Sequence, residues 1–355
     1  MKVKFFDPGK AYLKIKDEID SEIQRVLEKG DLILRQDVEK FEKSLAEYVG
    51  TKYAVALNSC TDALYLALKF LGIKEGDEVL LPSRTFVATP QVVVQLGAKP
   101  VFYDIDGHIQ VSEKTKAIIP VHIEGLIDTR MEEILAAGLP IIEDSAQALG
   151  AWRESELKTA RHNDVEVGYR ELKKVGSLGL AGCFSFYPAK TLGCYGDAGA
   201  LTTNDTDLYH YVKGARNHFK DNGFKSWGVN SRMDNIQAAV LNVKLKYYPE
   251  ALKRRQEIAE LYTKELKGCP TALPPHTQGR IWQDYIIRVA ERDILFEYLK
   301  ENGIETMKNN YAFPVPKLPK AQKYEDETLR LPCNEVLETD EVLCVIQKIK
   351  DFYEK

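Results

Sequence analysis

The chain has 355 residues, enough for a large domain with a full core and a smaller domain beside it. Its 49 basic and 53 acidic residues nearly balance and form no long run of one sign. This balance indicates neither a nucleic-acid surface nor a polybasic membrane patch. We therefore expect the partners to be small molecules or another copy of the chain.

The cysteines and the amino-terminal segment bear on the cellular setting. Six cysteines are scattered without a C-x-x-C pair, so neither a zinc site nor a disulfide framework is predicted, and no metal is expected. The segment MKVKFFDPGKAYLKIKDEID interleaves charged and apolar residues and lacks the apolar core of a signal peptide. No stretch approaches the length of a membrane span. A reduced, cytoplasmic setting is the prediction.

The first half of the chain alternates helical and strand patterns. Two amphipathic helices are predicted over residues 15–27 and 38–48. Short apolar runs follow, separated by helical stretches near residues 61, 90 and 131: YAVAL from 53, EVLLP from 78, PVFYDI from 100, AIIPV from 117 and LPIIEDS from 139. Runs this short and this apolar predict strands buried on both faces of a mostly parallel sheet, which is an α/β architecture.

Two further strands and a long helical pattern come next. GCFSFY from residue 182 and GALTT from residue 199 predict strands joined by a loop that carries Lys190. A helical pattern then runs from residue 234 to about residue 267. Pro249 is expected to break or kink it, because proline lacks the amide hydrogen that a helix needs.

The last part of the chain predicts a smaller α+β domain. It contains the strand YIIRV from residue 285 and helices near residues 293 and 341. We expect the domain boundary within the helix of residues 245–270. The chain is therefore divided into a large domain of residues 1–250 and a small domain of residues 251–355.

The polar segment WRESELKTARHNDVEVGYRELKK, residues 152–174, lies between two apolar strands. It carries many charges of both signs, which favours an exposed excursion from the sheet. A lid over an active site is the alternative.

The segment LNSCTDAL, residues 57–64, places small polar residues where a strand runs into a helix. Backbone N–H groups at a helix start, with the Ser59 and Thr61 hydroxyls, would make an anion site suited to a phosphate. A plain helix cap is the alternative.

The segment IIEDSAQALGA, residues 141–151, ends an apolar strand in Glu143 and Asp144. In an open α/β sheet, the carboxyl ends of the strands are where ligands bind. A carboxylate there could pair with a cationic ring nitrogen, as pyridoxal-phosphate enzymes require. A carboxylate that caps the next helix is the alternative.

The loop after GCFSFY places Ser185 five residues before Lys190. A lysine in a sheltered pocket loses proton affinity and becomes an amine nucleophile for a Schiff base. A lysine whose amine reaches solvent is the alternative.

Further on, in GVNSRMDNIQAAVL, Asn230 and Arg232 precede a helix, and the arginine offers a planar fork for a carboxylate or phosphate. Its alternative is a surface arginine.

Six segments in this order resemble the DegT/StrS family of sugar aminotransferases. They are NSCTDAL, PSRTFVAT, IIPVHIEG, IIEDSAQALGA, FSFYPAKTLGCYGDAGALTTND and NSRMDNIQAA. The resemblance runs from about residue 30 to residue 265. It implies pyridoxal 5′-phosphate as cofactor and the fold of aspartate aminotransferase, in which a large domain with a mixed, mostly parallel sheet carries a smaller α+β carboxy-terminal domain.

The resemblance also implies roles around the cofactor ring. Lys190 would be the Schiff-base lysine and would move the proton between substrate and cofactor. Asp144 would keep the pyridine nitrogen protonated. Gln147 would contact the ring hydroxyl, and Phe86 would stack on the ring face.

Further implied roles concern the phosphate and the substrate. Cys60, Thr61 and Ser185 would hold the phosphate, and Asn230 would reach it from the second subunit of a homodimer. Arg232 would meet an acidic group of the amino donor or of the sugar.

The activity implied is transfer of an amino group from L-glutamate to a keto group of a nucleotide-linked sugar, in amino-sugar synthesis for a surface polysaccharide or a glycosylated metabolite. A sugar dehydratase of the same fold is one alternative, but those relatives carry histidine in place of the lysine that stands at position 190. A catalytically inactive regulatory relative is the other, and it would be expected to have lost residues of the cofactor set.

The chain departs from the family pattern in four places. The excursion of residues 152–174 is longer than usual. Cys60 stands where the family has glycine. The segment DIDGHIQVSEKTKAIIP, residues 104–120, is shorter than usual, so a helix is expected to be missing there. MKNNYAFPVPK, residues 307–317, stands where relatives often carry a histidine near the sugar.

Overall fold

A computed structural model describes residues 1–105, 107–155, 158–162, 165–308 and 318–354. Its helices are α1 (Pro8–Lys14), α2 (Lys16–Lys29), α3 (Gln36–Val49), α4 (Cys60–Phe70), α5 (Ala88–Gln95), α6 (Met131–Ala136), α7 (Thr206–Ala215), α8 (Asn235–Lys246), α9 (Tyr248–Glu265), α10 (Arg292–Glu301), α11 (Pro319–Glu327) and α12 (Thr339–Tyr353). Its strands are β1 (Tyr53–Leu57), β2 (Glu78–Pro82), β3 (Lys99–Tyr103), β4 (Thr115–Ile118), β5 (Ile142–Asp144), β6 (Trp152–Glu154), β7 (Lys158–His162), β8 (Val165–Tyr169), β9 (Leu172–Lys174), β10 (Ala181–Ser185), β11 (Gly199–Thr203), β12 (Tyr285–Arg288), β13 (Met307–Lys308) and β14 (Thr328–Leu331).

A seven-stranded sheet forms the centre of the large domain. Four strands pair in the order β1-β11-β10-β5 and three in the order β3-β2-β4. Parallel bridges from Ile118 to Ile141 and from Val121 to Asp144 join the two groups. Strand β11 runs antiparallel to both neighbours, and the other pairings are parallel. The predicted mixed, mostly parallel sheet is confirmed.

The strands are apolar at nearly every position because helices cover both faces of the sheet. Successive residues of a strand point to opposite faces. In β1, Val55 and Leu57 pack into one cluster with residues of α4, whereas Ala54 and Ala56 pack into another with residues of α3. A strand buried on both faces has no exposed side on which polar residues are favoured.

The long helical pattern is divided as the sequence predicts. Helix α8 ends at Lys246, and α9 begins at Tyr248, with Pro249 in its first turn. Proline is tolerated there because the first amides of a helix have no partner inside the helix. Between β3 and β4, none of the described residues is helical, in agreement with the predicted loss of a helix.

A three-stranded antiparallel sheet in the order β12-β14-β13 forms the centre of the smaller part. Its core contains side chains of α9, α10 and α12, including Ile258, Leu299 and Val345. Val3 belongs to the same core and pairs with Ile304, so the amino-terminal segment packs here as well. The division at residues 250 and 251 stays a prediction.

Two of the sequence interpretations fall partly outside the described residues. In the polar excursion, β6 pairs with β9 and β7 pairs with β8, both antiparallel, while positions 156, 157, 163 and 164 are not described. Residues 309–317, which hold most of MKNNYAFPVPK, also lie outside the described part of the chain.

Candidate active site

A cavity of about 730 Å³ lies between the carboxyl ends of the large-sheet strands and the small sheet. Seven of the nine site residues predicted from the sequence line it: Cys60, Thr61, Phe86, Asp144, Gln147, Ser185 and Lys190. Strands β1, β5 and β10 run parallel, so their polar ends meet at one edge of the sheet. None of the described residues of the 152–174 excursion lines this cavity.

The start of helix α4 forms one end of the cavity. The Ser59 hydroxyl accepts a hydrogen bond from the Asp62 N–H at 3.1 Å, so Ser59 serves as the helix cap. The amides of Cys60 and Thr61 belong to the first turn, where no partner exists inside the helix. A Cβ on Gly199 would lie 2.3 Å from the Ser59 carbonyl carbon, so only glycine lets β11 approach this turn. The turn is therefore a compact cradle for an anion.

Asp144 lies on the floor of the cavity with both carboxylate oxygens engaged. Oδ2 accepts a hydrogen bond of 2.7 Å from the Thr89 hydroxyl, and Oδ1 accepts one of 3.2 Å from the Ala146 N–H. The Cys60 thiol lies 4.0 Å from Oδ1. These contacts fix the carboxylate in one orientation. Sequence reasoning missed Thr89, although it is the last residue of the PSRTFVAT segment.

The neighbouring Glu143 has a different role. It is fully buried, and its two oxygens accept hydrogen bonds of 2.8 Å from the N–H groups of Gly176, Leu178 and Gly179. His122 Nε2 lies 3.0 Å from the same carboxylate. Glu143 therefore holds the turn that leads into β10, and it is not among the described residues that line the cavity.

Lys190 lies in the loop between β10 and β11. The loop folds back on itself so tightly that a Cβ on Gly193 would lie 2.3 Å from the carbonyl oxygen of Pro188. Burial lowers the pKa of the Lys190 amine below its usual value, although the Asp144 carboxylate opposes this shift. A lysine with lowered proton affinity is a better nucleophile at neutral pH.

Gln147 and Phe86 complete the described wall on the large-domain side. Oε1 of Gln147 accepts a hydrogen bond of 2.9 Å from the Glu124 N–H, which sets the orientation of the amide. Phe86 is 58% exposed and lies at the cavity edge. Their contacts with the ring hydroxyl and the ring face stay predictions.

The opposite wall comes from parts of the chain that sequence reasoning did not assign to the site. Asp284 forms an ion pair with Arg330, and both residues line the cavity. Phe5 and Phe6 line it from the amino-terminal segment. No local pattern in the sequence indicates these contacts, because each depends on how the small sheet packs against the large one.

Asn230 and Arg232 are not among the described residues that line this cavity. Asn230 is exposed, and its backbone pairs with that of Asn217. The Arg232 guanidinium donates a hydrogen bond of 3.0 Å to the side-chain oxygen of Asn217. The structure therefore does not bring these two residues together with Lys190 in one chain.

Comparison with known proteins identifies the family. The sequence model of the DegT/DnrJ/EryC1/StrS aminotransferase family matches residues 13–350. The chain belongs to this family. A UDP-2-acetamido-2-deoxy-3-oxo-D-glucuronate aminotransferase of Pseudomonas aeruginosa is 36% identical over 93% of this chain and 91% of its own. A pleiotropic regulatory protein of Geobacillus stearothermophilus is 35% identical over 99% of each chain.

A solved structure supports the same conclusion. The crystal structure of DesV from S. venezuelae with a ketimine intermediate has a TM-score of 0.88 and 33% identity, and covers 100% of this chain and 99% of that one. The family predicted by resemblance and the aspartate-aminotransferase-like fold are confirmed. The protein is an aminotransferase of the DegT/DnrJ/EryC1/StrS family, and its cofactor is pyridoxal 5′-phosphate.

The cavity fits this cofactor. A phosphate requires several hydrogen-bond donors, and the first turn of α4 offers backbone amides beside the Thr61 hydroxyl. A pyridinium nitrogen requires a carboxylate, and Asp144 presents one whose orientation Thr89 holds.

In the described part of the chain, no helix is long and apolar enough to cross a membrane. No group of three or more His, Cys, Asp or Glu residues there could hold a metal ion.

Proposed function

We propose that this protein transfers an amino group from L-glutamate to a keto group of a nucleotide-linked sugar. The product would be an amino sugar for a surface polysaccharide or a glycosylated metabolite. The observation that carries the proposal is the placement of Lys190, Asp144 and the start of α4 around one cavity. The cited P. aeruginosa relative is named as an aminotransferase of a UDP-linked keto-sugar, which supports the same substrate class.

Each residue around the ring has a role in this proposal. When bound, pyridoxal phosphate supplies an electron sink that weakens bonds at the substrate carbon next to nitrogen. Lys190 holds the cofactor, then accepts a proton at its Nζ and returns it. The lowered pKa of Lys190 favours this role, because the neutral amine is the form that acts as a base. Asp144 holds the ring nitrogen in its charged form.

Other residues bind the phosphate and cover the ring. Thr61, Ser185 and the Cys60 amide hold the phosphate at the start of α4. Gln147 meets the ring hydroxyl, and Phe86 covers the ring face. The thiol of Cys60 leaves its amide available, so the replacement of the usual glycine is compatible with this role.

We infer that two copies of the chain form a homodimer in which Asn230 of each copy reaches the phosphate in the other. Arg232 would then meet an acidic group of the amino donor or of the sugar. The position of Asn230 outside its own cavity supports this inference. So do the exposed aromatic side chains of the same segment, Phe224 at 66% and Trp227 at 89%, because a second copy would bury them. A cytoplasmic setting stays a prediction.

The two alternatives are less well supported. A sugar dehydratase of this fold would carry histidine at position 190. A regulatory protein without catalysis, which the name of the G. stearothermophilus relative suggests for that protein, would not need a complete cofactor site. In this chain Lys190, Asp144, Gln147 and Ser185 all line one cavity.

Spectroscopy and substrate screening test the proposal. Purified protein loaded with pyridoxal phosphate should lose its visible absorbance when L-glutamate is added, and a nucleotide-linked keto-sugar should restore it. L-Glutamine and L-aspartate test the donor, and UDP- and dTDP-linked 3-keto-sugars test the acceptor. Borohydride reduction followed by peptide mapping should place the cofactor on Lys190. Absence of both half-reactions, or cofactor fixed to another lysine, would contradict the proposal.

A further inference from the structure

Gln283 holds the backbone on both sides of Lys190. Its Nε2 donates a hydrogen bond of 3.0 Å to the carbonyl oxygen of Ala189, and its Oε1 accepts one of 3.2 Å from the Thr191 N–H. These two groups belong to the peptide units that flank the Lys190 Cα. One buried amide, 7% exposed, therefore restrains both backbone rotations of the lysine.

Gln283 is itself held by the buried Arg255, which is paired with the half-buried Glu335. Arg255, 4% exposed, donates from Nη1 to the carbonyl oxygens of Gln283 at 3.0 Å and Trp282 at 3.2 Å. Glu335 accepts hydrogen bonds from Nε and Nη2 of Arg255 at 3.0 and 2.7 Å. A continuous series of contacts therefore runs from Glu335 to the loop that carries Lys190.

We propose that Gln283 is a positioning residue for Lys190, by which the carboxy-terminal part of the chain sets where the lysine amine lies in the cavity. A lysine side chain has many rotamers. Fixing the backbone on both sides of its Cα reduces the number of positions that the amine can occupy, and so lowers the entropic cost of reaching a reactive geometry. The proposal rests on the proposed role of Lys190.

The charged and titratable groups that act on Lys190 come from two sides of the cavity. Asp144 and Cys60 lie on the large-domain side, and Asp284 and Arg330 lie on the side of Gln283. Loss of the Gln283 contacts would let the Lys190 loop move away from this enclosed position. The amine would then gain water and regain proton affinity.

The test uses the apoenzyme and two matched variants. Gln283→Met keeps the length of the side chain but makes neither hydrogen bond. Gln237→Met is the control, because Oε1 of Gln237 accepts a hydrogen bond of 3.1 Å from Tyr195 N–H in the same loop, five residues beyond Lys190. Acetic anhydride labelling is carried out across a pH series, and mass spectrometry measures the labelling of each lysine. The pH at which Lys190 labelling is half-maximal is its labelling midpoint.

In the wild-type apoenzyme, we expect the labelling midpoint of Lys190 to lie below that of exposed lysines. It should move toward theirs in Gln283→Met and stay unchanged in Gln237→Met. In the loaded enzyme, Gln283→Met should lower kcat by roughly 10- to 100-fold, a cost typical of a misplaced reacting group, with little change in KM for the sugar. If Gln283→Met does not fold, Gln283→Asn, which is too short to reach both peptide units, takes its place.

An unchanged Lys190 midpoint and an unchanged kcat in a folded Gln283 variant would overturn the inference. Equal effects of Gln283→Met and Gln237→Met would also overturn it, because they would indicate general loosening of the loop. Failure of the proposed function is a separate result, seen when the loaded wild-type protein transfers no amino group. The labelling experiment needs neither cofactor nor substrate and is not affected by that result.

Discussion

The hydroxyl of Thr89 donates a hydrogen bond of 2.7 Å to Oδ2 of Asp144, and the fully buried Thr89 in turn lies 2.7 Å from the hydroxyl of Thr85. Since a carboxylate can only accept, the Thr89 proton is committed to Asp144 and Thr85 donates to Thr89. The carboxylate proposed to face the cofactor nitrogen is thus oriented by two buried hydroxyls in the loop and helix that follow β2.

Thr89→Val should therefore weaken catalysis without removing a residue that touches substrate. A hydrogen bond to a charged group is worth about 1.5–3 kcal/mol, so kcat/KM is expected to fall by roughly 10- to 150-fold. Thr85→Val, one hydroxyl further away, should have a smaller effect. Steady-state kinetics with L-glutamate and the sugar substrate measure both. Wild-type kcat/KM in Thr89→Val would show that Asp144 is held without this bond.

Asp144→Asn should retain much of its cofactor and lose most of its turnover, because a ring nitrogen without a carboxylate partner stays uncharged and withdraws electrons poorly. Cofactor content from absorbance and kcat from steady-state assays separate the two effects. The matched variant Glu143→Gln alters a carboxylate that binds three backbone amides away from the cavity. It should lower Tm more than Asp144→Asn does. Near-normal turnover in Asp144→Asn would remove Asp144 from the mechanism.

The stability of the apoenzyme should depend on pH through Lys190. Burial lowers the pKa of Lys190 in the folded state below its usual value of 10.5, so between those two values the unfolded chain binds more protons and stability rises with pH. Below the folded-state pKa of Lys190 the protein bears the full cost of the buried charge, so Lys190→Met should raise Tm most at the low-pH end of the range. This gain should shrink as the pH approaches 10.5. Thermal unfolding of both apoproteins over this range checks the sign, and a gain that does not change with pH would contradict it.

The proposed shared site predicts complementation between two impaired variants. Lys190→Ala should lack the cofactor lysine, and Asn230→Ala should bind the phosphate less tightly. Mixed and refolded together, they should form hybrid dimers in which one of the two sites combines an intact Lys190 with an intact Asn230. Activity per hybrid dimer, measured after separation by affinity tags, should approach that of one wild-type site. Full activity in a monomer, or none in purified hybrids, would rule out the shared site.

The sequence by itself determined the large sheet and the residues at its strand ends. A strand that helices cover on both faces is apolar at successive positions, and such a run can be recognised in the sequence alone. This is why the positions of β1, β5 and β10 could be predicted. Lys190 and Asp144 stand out for the same reason, because a charged residue next to a buried strand is a local departure from the pattern.

Only the tertiary structure decided which polar groups act together. The sequence left Ser59 as either a cap or a phosphate ligand; in the fold its hydroxyl oxygen accepts from the Asp62 amide while the residue also lines the cavity, so the cap is seen and the phosphate contact stays a prediction. The contact of Gln283 with Thr191 joins residues 92 positions apart, and that of Thr89 with Asp144 joins residues 55 apart. The apolar periodicity of the sequence indicates whether a residue is buried, but not which distant side chain it contacts. The first pairing arises when the small sheet packs against the large one, and the second when the segment after β2 meets the end of β5. In both, buried polar groups must find partners within the protein.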